Sequence, residues 1–390
     1  MGKEIPRAVA ALDGANNADV VGLRAEIDLR ISAREFDWVG ELGAELAAQA
    51  ASGRVSQEYC KVLLDYVLHA LASHPGKESL RTLLRVPASP HMEGPERTVA
   101  ERRLALFVAR HQRIEDIAQL VFNRESESVH SLEFSACLLH ELVLVSAEVE
   151  KYPTLRSFGE MLVTVGHPLA VLPLRLLPEE HVLRRPRGAP DDWTWTEPPT
   201  PLVSFDAPEV QTTPSMRQRT AGIEMIEVSV PASADAMGAA VHHWCTQSNG
   251  KITAQEFWSP DPVTEEDFPA AFKLLPLIPW PADQAPARLY PSTPESVLRI
   301  LLTAAVRGPA YGCGLYGAHG RLAAWRSLGG LTGAAADASI ARTAELVRQT
   351  HWFRVDTASV WFYEVAWDLA IAALRAGGQE IAVLAATDTD

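Results

Sequence analysis

A dense run of prolines near the middle of the chain places the strongest constraint on how it can fold. Seven prolines lie between Pro186 and Pro214, and each one removes a backbone hydrogen-bond donor and fixes φ. Apolar periodicity is helical before this run and mixed after it. The sequence therefore predicts an all-helical domain over 1–185, a proline-rich strap over 186–215 and a mixed α+β domain over 216–390.

The first part repeats apolar residues at helical spacing. One face of a 3.6-residue helix collects Tyr59, Val62, Leu63, Tyr66, Val67 and Ala70. We expect further helices near 34–52, 129–150 and 154–166, and a capping box formed by Thr98 and Glu101 at the start of another. Successive helices of this kind are typical of a bundle or an α-solenoid, which can present a groove to a protein partner.

The second part combines strands with helices. Ile223–Val230 is rich in residues that favour strands, and Asn249-Gly250 predicts a turn into a strand over 251–258. Thr293 as N-cap and Pro294 at the first helical position predict a helix that runs to about Val306. The chain is thus expected to be mostly α, with a smaller α+β part.

Three further predictions concern the strap and the C-terminal end. Trp193 and Trp195 predict that the strap is pinned against a domain surface, because exposure of tryptophan is costly. Two more helices are expected, over 337–350 and 358–375, the second of them buried and ended by Gly377-Gly378. The apolar run Ile381–Leu384 predicts a short final strand.

Charge and composition exclude several classes of function. The net charge is −14, from 35 basic and 49 acidic residues, so we expect neither a nucleic-acid partner nor a membrane partner. Four cysteines are too few for a disulfide framework. Met1–Gly14 lacks the apolar core of a secretory signal, and the most apolar stretch, Met161–Leu174, is too short to cross a bilayer. These features predict a cytoplasmic protein.

Residues 308–333 concentrate glycine beside nearly every polar type of side chain. Glycine lets the backbone take positive φ and approach another group closely, and four glycines fall within nine positions: Gly312, Gly314, Gly317 and Gly320. Between and beside them are six side chains suited to binding or catalysis: Tyr311, Cys313, Tyr316, His319, Arg321 and Arg326.

This mixture predicts a site for a peptide or small-molecule ligand over 311–326. In that interpretation His319 is an acid–base group, Cys313 is a thiolate or ligand, and Arg321 or Arg326 clamps an anion. The alternative is structural: the glycines allow helices to pack tightly, while the tyrosines and arginines tie the domain together.

The spacing Gly312-x-Gly314-x-x-Gly317 also matches the dinucleotide-binding fingerprint, with Asp337 twenty residues after its last glycine. That fingerprint has to follow a β-strand. Because a helix is predicted over 294–306 instead, we do not expect a nicotinamide or flavin cofactor.

Glu364 and Asp368 stand four residues apart, on one face of the helix predicted over 358–375. Buried carboxylates are costly unless they are paired or hydrogen-bonded. The sequence therefore predicts either an ion pair with one of the arginines or a catalytic acid–base role. A carboxylate beside His319 would tune that imidazole.

Three segments near the C-terminus are distinctive together: Gly317–Arg326, Val365–Arg375 and the tail Ile381–Asp390. They resemble an actinobacterial family of uncharacterised proteins, closely over roughly the last 90 residues and loosely over the helical half. The resemblance implies a bacterial cytosolic protein and carries no activity with it.

A second resemblance rests on Trp244-Cys245, Cys313 and His319-Gly320. These segments are similar to those of lanthionine cyclases, which hold zinc with a cysteine of a Trp-Cys segment and a later Cys-His-Gly, and leave the fourth position to a substrate thiol. The resemblance implies that Cys245, Cys313 and His319 bind zinc. The adjacent His242 and His243 are expected on a strand, where they would point to opposite faces.

Two functions remain open from the sequence. One is an enzyme of specialised metabolism that acts on a peptide or small metabolite at 311–326. The other is a non-catalytic helical scaffold or interaction protein.

Overall fold

The structure is a computed structural model of the chain and describes most of it. The described residues are 4–10, 12–13, 17–52, 57–87, 95–123, 130–145, 147–183, 207–281, 287–365 and 367–390. They fall into two compact units, of which the N-terminal one reaches Ala170. The C-terminal unit takes in Val171–Leu183, which the sequence assigned to the helical domain, together with the residues from 207 onward. Trp193 and Trp195 of the predicted strap lie outside the described residues.

The N-terminal unit is helical throughout its described part. Its helices are α1 (Glu4–Ala10), α2 (Asn17–Ser32), α3 (Phe36–Ser52), α4 (Gln57–Ser73), α5 (Lys77–Leu83), α6 (Pro95–His111), α7 (Ile114–Leu120), α8 (Leu132–Leu144) and α9 (Pro153–Thr164). Helix α4 packs on α3 and α6, and α6 packs on α8. The helices predicted near 34–52 and 154–166 are confirmed. The helix predicted over 129–150 is present as the shorter α8, and Val149–Lys151 forms a separate 3-10 turn. None of the helices in the described ranges is long and apolar enough to span a membrane.

The predicted capping box at Thr98 is wrong. Helix α6 begins at Pro95, so Thr98 is already helical. Proline suits the first turn of a helix, because the amide it lacks would have no intrahelical partner there. The buried carboxylate of Glu101 instead accepts a hydrogen bond from the backbone N–H of Ser131, the residue that precedes α8. Glu101 therefore links α6 to the start of α8.

The C-terminal unit contains one antiparallel sheet and seven α-helices in its described ranges, besides the 3-10 helix Pro178–Leu183. The strands are β1 (Ile226–Glu227), β2 (Lys251–Trp258), β3 (Leu289–Ser292), β4 (His351–Val355), β5 (Trp367–Leu374) and β6 (Glu380–Asp388), in the order β1-β2-β6-β5-β4-β3. The helices are α10 (Pro214–Thr220), α11 (Pro231–Met237), α12 (His242–Gln247), α13 (Phe268–Phe272), α14 (Pro294–Val306), α15 (Tyr316–Thr332) and α16 (Ile340–Gln349). The mostly α fold with a smaller α+β part is confirmed.

Both faces of the central strands are covered. On one face Ile381, Val383 and Ala385 of β6 join an apolar cluster with Phe257 and Phe362. Helices α12 and α15 contact β6 as well. As a result, every residue of β6 after Glu380 is buried. Polar residues on such strands are confined to the strand ends, because a polar group without a partner is costly in this environment.

The helix predicted over 358–375 is wrong. Residues 356–365 form a loop, and Trp367–Leu374 form β5, which pairs with β4 and β6. A strand buried on both faces has no apolar–polar alternation, so its pattern cannot be distinguished from that of a buried helix. Gly377 and Gly378 take positive φ angles of 92° and 74° in the turn between β5 and β6 rather than ending a helix.

The other predictions for this unit have mixed outcomes. Strand β2 over 251–258, helix α14 from Pro294 to Val306 and the final strand are confirmed, and Thr293 caps α14 through its side chain. The β-rich segment Ile223–Val230 contributes only the two-residue strand β1. His242 and His243 begin the short helix α12 and are not on a strand.

Of Gly312, Gly314, Gly317 and Gly320, three leave no room for a side chain. A Cβ atom on Gly312 would lie 2.6 Å from Gln247 Oε1. A Cβ atom on Gly314 would lie 1.8 Å from the carbonyl oxygen of Val306, and one on Gly320 would lie 2.4 Å from Val306 Cγ1. Among the four, only Gly312 has positive φ, at 140°. The helix α14 precedes them, so the dinucleotide fingerprint lacks its strand.

We predict that Gly314→Ala destabilises the C-terminal unit. The added methyl group has to displace the backbone of Val306, and overpacking of this kind costs about 3 kcal/mol. The free energy of unfolding is measurable by urea denaturation with tryptophan fluorescence, since nine of the ten tryptophans lie beyond residue 190.

Gly329→Ala is the matched control. A Cβ atom there meets nothing closer than 3.9 Å, and alanine favours a helix interior by up to about 1 kcal/mol. Equal stabilities of the two variants would contradict the packing role of Gly314.

Candidate functional site

Arg321 is part of a buried ion pair rather than an open anion clamp. Both Arg321 and Glu180 are fully buried, with Arg321 Nη2 at 2.8 Å from Glu180 Oε2. The guanidinium also donates to the carbonyl oxygens of Pro173 and Arg175, and Trp325 Nε1 donates to Glu180 at 2.8 Å. These bonds attach the 171–183 segment to α15.

The remaining residues predicted on 316–326 occupy the first turns of α15. Tyr316 begins the helix with a positive φ of 57°. Gly317 and Gly320 are buried, His319 is half-buried, and Arg326 is exposed. Arg321 and Arg326 therefore face different environments, as their separation of five residues on a helix predicts.

The loop 308–313 is held against α12 and the end of β6 by its backbone. Ala310 N–H donates to Asp388 Oδ2 at 2.6 Å, Tyr311 N–H donates to Ser248 Oγ at 3.3 Å, and Cys313 N–H donates to Gln247 Oε1 at 3.1 Å. The side chains of Tyr311 and Cys313 are exposed. The structure thus brings the N-terminal half of the predicted site to one end of the sheet.

The residues that the cyclase resemblance assigns to zinc do not form a ligand set. Cys245 and Cys313 are free and exposed. Within the described part of the chain, the ligand atoms of these two cysteines and His319 do not all lie within 4.8 Å of one another. Cys245 is exposed as a residue, but its thiol is partly covered by protein atoms. This partial desolvation, and secondly the charge of Asp388, raise the pKa of the thiol, so it is protonated at neutral pH.

His243 and Asp388 are two buried polar residues that both contact the loop 308–313 or the residue before it. His243 Nε2 lies 3.2 Å from the carbonyl oxygen of Arg307, an acceptor, so Nε2 carries the proton and Nδ1 is an acceptor. Neither His243 Nδ1 nor Asp388 Oδ1 has a hydrogen-bond partner among the described residues. Burial lowers the pKa of His243, and the charge of Asp388 opposes that shift.

Polar side chains gather where β2 and β5 begin and β6 ends. Thr387 of β6 is directly opposite Lys251 of β2 on one side and Asp368 of β5 on the other. Residues opposite each other across strands share a face of the sheet, whereas Asp388 points to the other face. We call Lys251, Asp368, Thr387 and Asp388 the polar end of the sheet.

The carboxyl of Asp368 is held by two donors. Thr387 Oγ1 donates to Asp368 Oδ1 and accepts a hydrogen bond from the backbone N–H of Tyr363 at 3.0 Å. The backbone of Glu364 supplies a further hydrogen bond to the carboxyl. These contacts fix the half-buried group under the loop 356–365.

The environment of Asp368 favours its neutral form. Burial raises the pKa of the carboxyl above its ordinary value of 3.8, and the Glu364 carboxylate adds to the rise. The hydrogen bonds and the charge of Lys251 oppose it. A carboxyl whose pKa moves toward neutrality is better suited to exchange protons with a ligand.

Glu364 has a left-handed backbone, with φ of 54°. A residue other than glycine pays a conformational cost of about 1–2 kcal/mol there. The conformation brings its backbone into hydrogen-bonding contact with Asp368 while its side chain stays exposed. The predicted association of Glu364 with Asp368 thus arises from this loop, not from one face of a helix.

The sequence patterns do not predict Lys251, Thr387 and Asp388 as site residues. The available signal was the abrupt change from the apolar run Ile381–Ala386 to Thr387-Asp388. Because the apolar pattern of β5 predicts a helix, the sequence does not place the first residues of this segment beside the polar end. Only the strand register shows that Asp368 and Lys251 flank Thr387.

We predict that Arg321→Ala strongly destabilises the C-terminal unit. Removal of one partner leaves the Glu180 carboxylate buried without its counter-charge, at a cost of roughly 3–5 kcal/mol. Arg326→Ala, on the exposed side of the same helix, changes the stability by less than about 0.5 kcal/mol. Urea denaturation of both variants checks this, and a tolerated Arg321→Ala would contradict it.

We predict that Asp368→Asn stabilises the protein more at pH 7 than at pH 4. The folded state raises the pKa of Asp368 above 3.8, so ionisation opposes folding, and this cost grows as the pH rises above that value. The difference in melting temperature between variant and wild type should become more positive with pH. Asp337→Asn, at an exposed position, should show no such trend. If the difference in melting temperature between Asp368→Asn and wild type does not change with pH, the pKa of Asp368 is not raised in the folded protein.

Comparison with known proteins gives a family and no activity. No curated protein and no solved structure matches the chain. A family model described as a family of unknown function (DUF6183) matches residues 21–390. The match covers the helical half as well as the C-terminal segments, so it is broader than the resemblance over roughly the last 90 residues. The chain therefore belongs to the family of unknown function DUF6183.

Proposed function

We propose that the protein is an enzyme that performs acid–base chemistry on a peptide or small metabolite, with Asp368 exchanging the proton. One observation carries the proposal: a half-buried carboxyl, held by Thr387 and the Glu364 backbone, lies at the polar end of strands that are otherwise buried. General acid–base catalysis needs a positioned group of this kind within reach of a ligand.

The neighbours of Asp368 support a catalytic role for it. Thr387 is completely buried, and it orients the carboxyl from behind. Glu364 is exposed and lies close enough to act on the charge of Asp368. Lys251, also close to Asp368, brings the only positive charge among the groups that shift its pKa. Two carboxyls in different environments are a common arrangement for separating an acid from a base.

The proposal replaces thiol chemistry with carboxyl chemistry. The resemblance to lanthionine cyclases implies that Cys245, Cys313 and His319 bind zinc, but among the described residues the ligand atoms of these three do not all lie within 4.8 Å of one another. Tyr311, Gly312 and Cys313 stay in the proposal as contacts for the ligand, because their loop is attached to Asp388, the neighbour of Thr387. Arg321 leaves it, since its guanidinium is fully buried against Glu180.

Metabolite profiling tests the proposed function. The purified protein is incubated with a bacterial extract of small molecules and peptides, and mass spectrometry follows the compounds whose concentration falls or rises. We expect wild-type protein to consume at least one compound and Asp368→Asn to consume it roughly 100-fold more slowly or worse, as loss of a general acid–base group predicts.

Asp337→Asn is the control, because this carboxylate is exposed and distant in sequence from the polar end. It should keep the wild-type rate. If Asp368→Asn also keeps that rate, Asp368 is not the catalytic group. If wild-type protein consumes nothing, the result favours the other function that the sequence left open, a non-catalytic interaction protein.

A further inference from the structure

The ammonium of Lys251 lies against two aromatic rings of the loop 356–365. Lys251 Nζ is 4.7 Å from the centroid of the Trp361 ring and 4.2 Å from the centroid of the Tyr363 ring. A cation within about 6 Å of a ring centroid is attracted by the negative face of the ring. The two rings therefore form an ammonium-binding pair that the chain fills with its own lysine.

The rings are held in place by the residue between them. Phe362 is buried and stacks edge-on against Trp361, with 4.8 Å between their centroids, and it also contacts Trp280 at 5.5 Å. Tyr363 is fixed from the other side by its backbone hydrogen bond to Thr387. A preformed pair of rings of this kind loses little conformational entropy on binding a cation.

The surroundings of the rings favour a positive ligand. Lys251 lies close enough to act on the Asp368 carboxyl, and the exposed Glu364 carboxylate acts on Asp368 as well. Tyr363 is 40% exposed and Val365 is 59% exposed, which leaves this side of the pair open to solvent with apolar surface at its edge. Aromatic rings are a common means by which proteins recognise organic ammonium groups.

We propose that Trp361, Tyr363, Glu364 and Asp368 form a binding site for an organic ammonium group, which Lys251 occupies when no ligand is present. This inference names the substrate class of the acid–base site and rests on the proposed function. A ligand with an ammonium group enters by displacing Lys251, and its adjoining atoms then lie near the Asp368 carboxyl.

Titration with tetramethylammonium chloride tests the site, with sodium chloride at equal ionic strength as the reference. Isothermal calorimetry or chemical-shift changes report binding to the full chain. We expect Lys251→Met to bind the probe roughly tenfold more tightly than wild type. The lysine competes with the probe for the two rings, and loss of a cation–π contact of ordinary strength corresponds to a change in affinity of about this size. Lys273→Met removes an exposed lysine of the same unit and should bind like wild type.

Addition of Tyr363→Leu to the Lys251→Met variant should abolish the increase in affinity for tetramethylammonium. Because position 363 is exposed, the double variant should stay folded, which its melting temperature checks. Lys251→Met that binds no better than Lys273→Met overturns the inference, and so does binding that survives Tyr363→Leu. The two proposals fail separately. Consumption of a metabolite without ammonium binding overturns only the substrate class, whereas ammonium binding without consumption overturns only the catalytic role.

Discussion

The burial of β5 and β6 on both faces is the constraint on which the C-terminal unit depends. Apolar cores on both sides leave these strands no place for charge except at their ends. The antiparallel register then brings the start of β5 and the start of β2 to the end of β6. The polar residues excluded from the core are thereby collected at one place, and this explains why Asp368, Thr387 and Lys251 are neighbours.

The glycine-rich stretch illustrates how one composition serves two purposes. Gly314 and Gly320 leave room for α14, which is a packing role. The loop 308–313 between the two helices instead uses its backbone amides to bind Asp388, Ser248 and Gln247. In α15 the glycines and Arg321 therefore serve packing and stability, which is the structural interpretation of this stretch. The loop 308–313, in contrast, adjoins the polar end of the sheet.

Glu364 and Asp368 are neighbours, as the sequence predicts, but for a different structural reason. Glu364 and Asp368 were selected as an i, i+4 pair on a helix, and that helix does not exist. They are nevertheless close, because the left-handed backbone of Glu364 turns the loop back onto Asp368. A left-handed residue other than glycine leaves no reliable trace in a sequence, since it is imposed by the contacts around it.

The sequence alone determined the helical N-terminal part, the strand at 251–258 and helix α14 with its Thr293 cap, because periodicity, turn residues and caps act over a few neighbouring positions. It also marked Asp368 and Cys313 as chemically notable. Only the tertiary structure decided that Trp367–Leu374 is a strand, that Glu180 is the partner of Arg321, and that Lys251 lies against Trp361 and Tyr363. The two side-chain contacts join residues that are far apart in the sequence, and such contacts leave no periodic signal along the chain. The strand β5 is buried on both faces, so it lacks the apolar–polar alternation by which a strand is recognised.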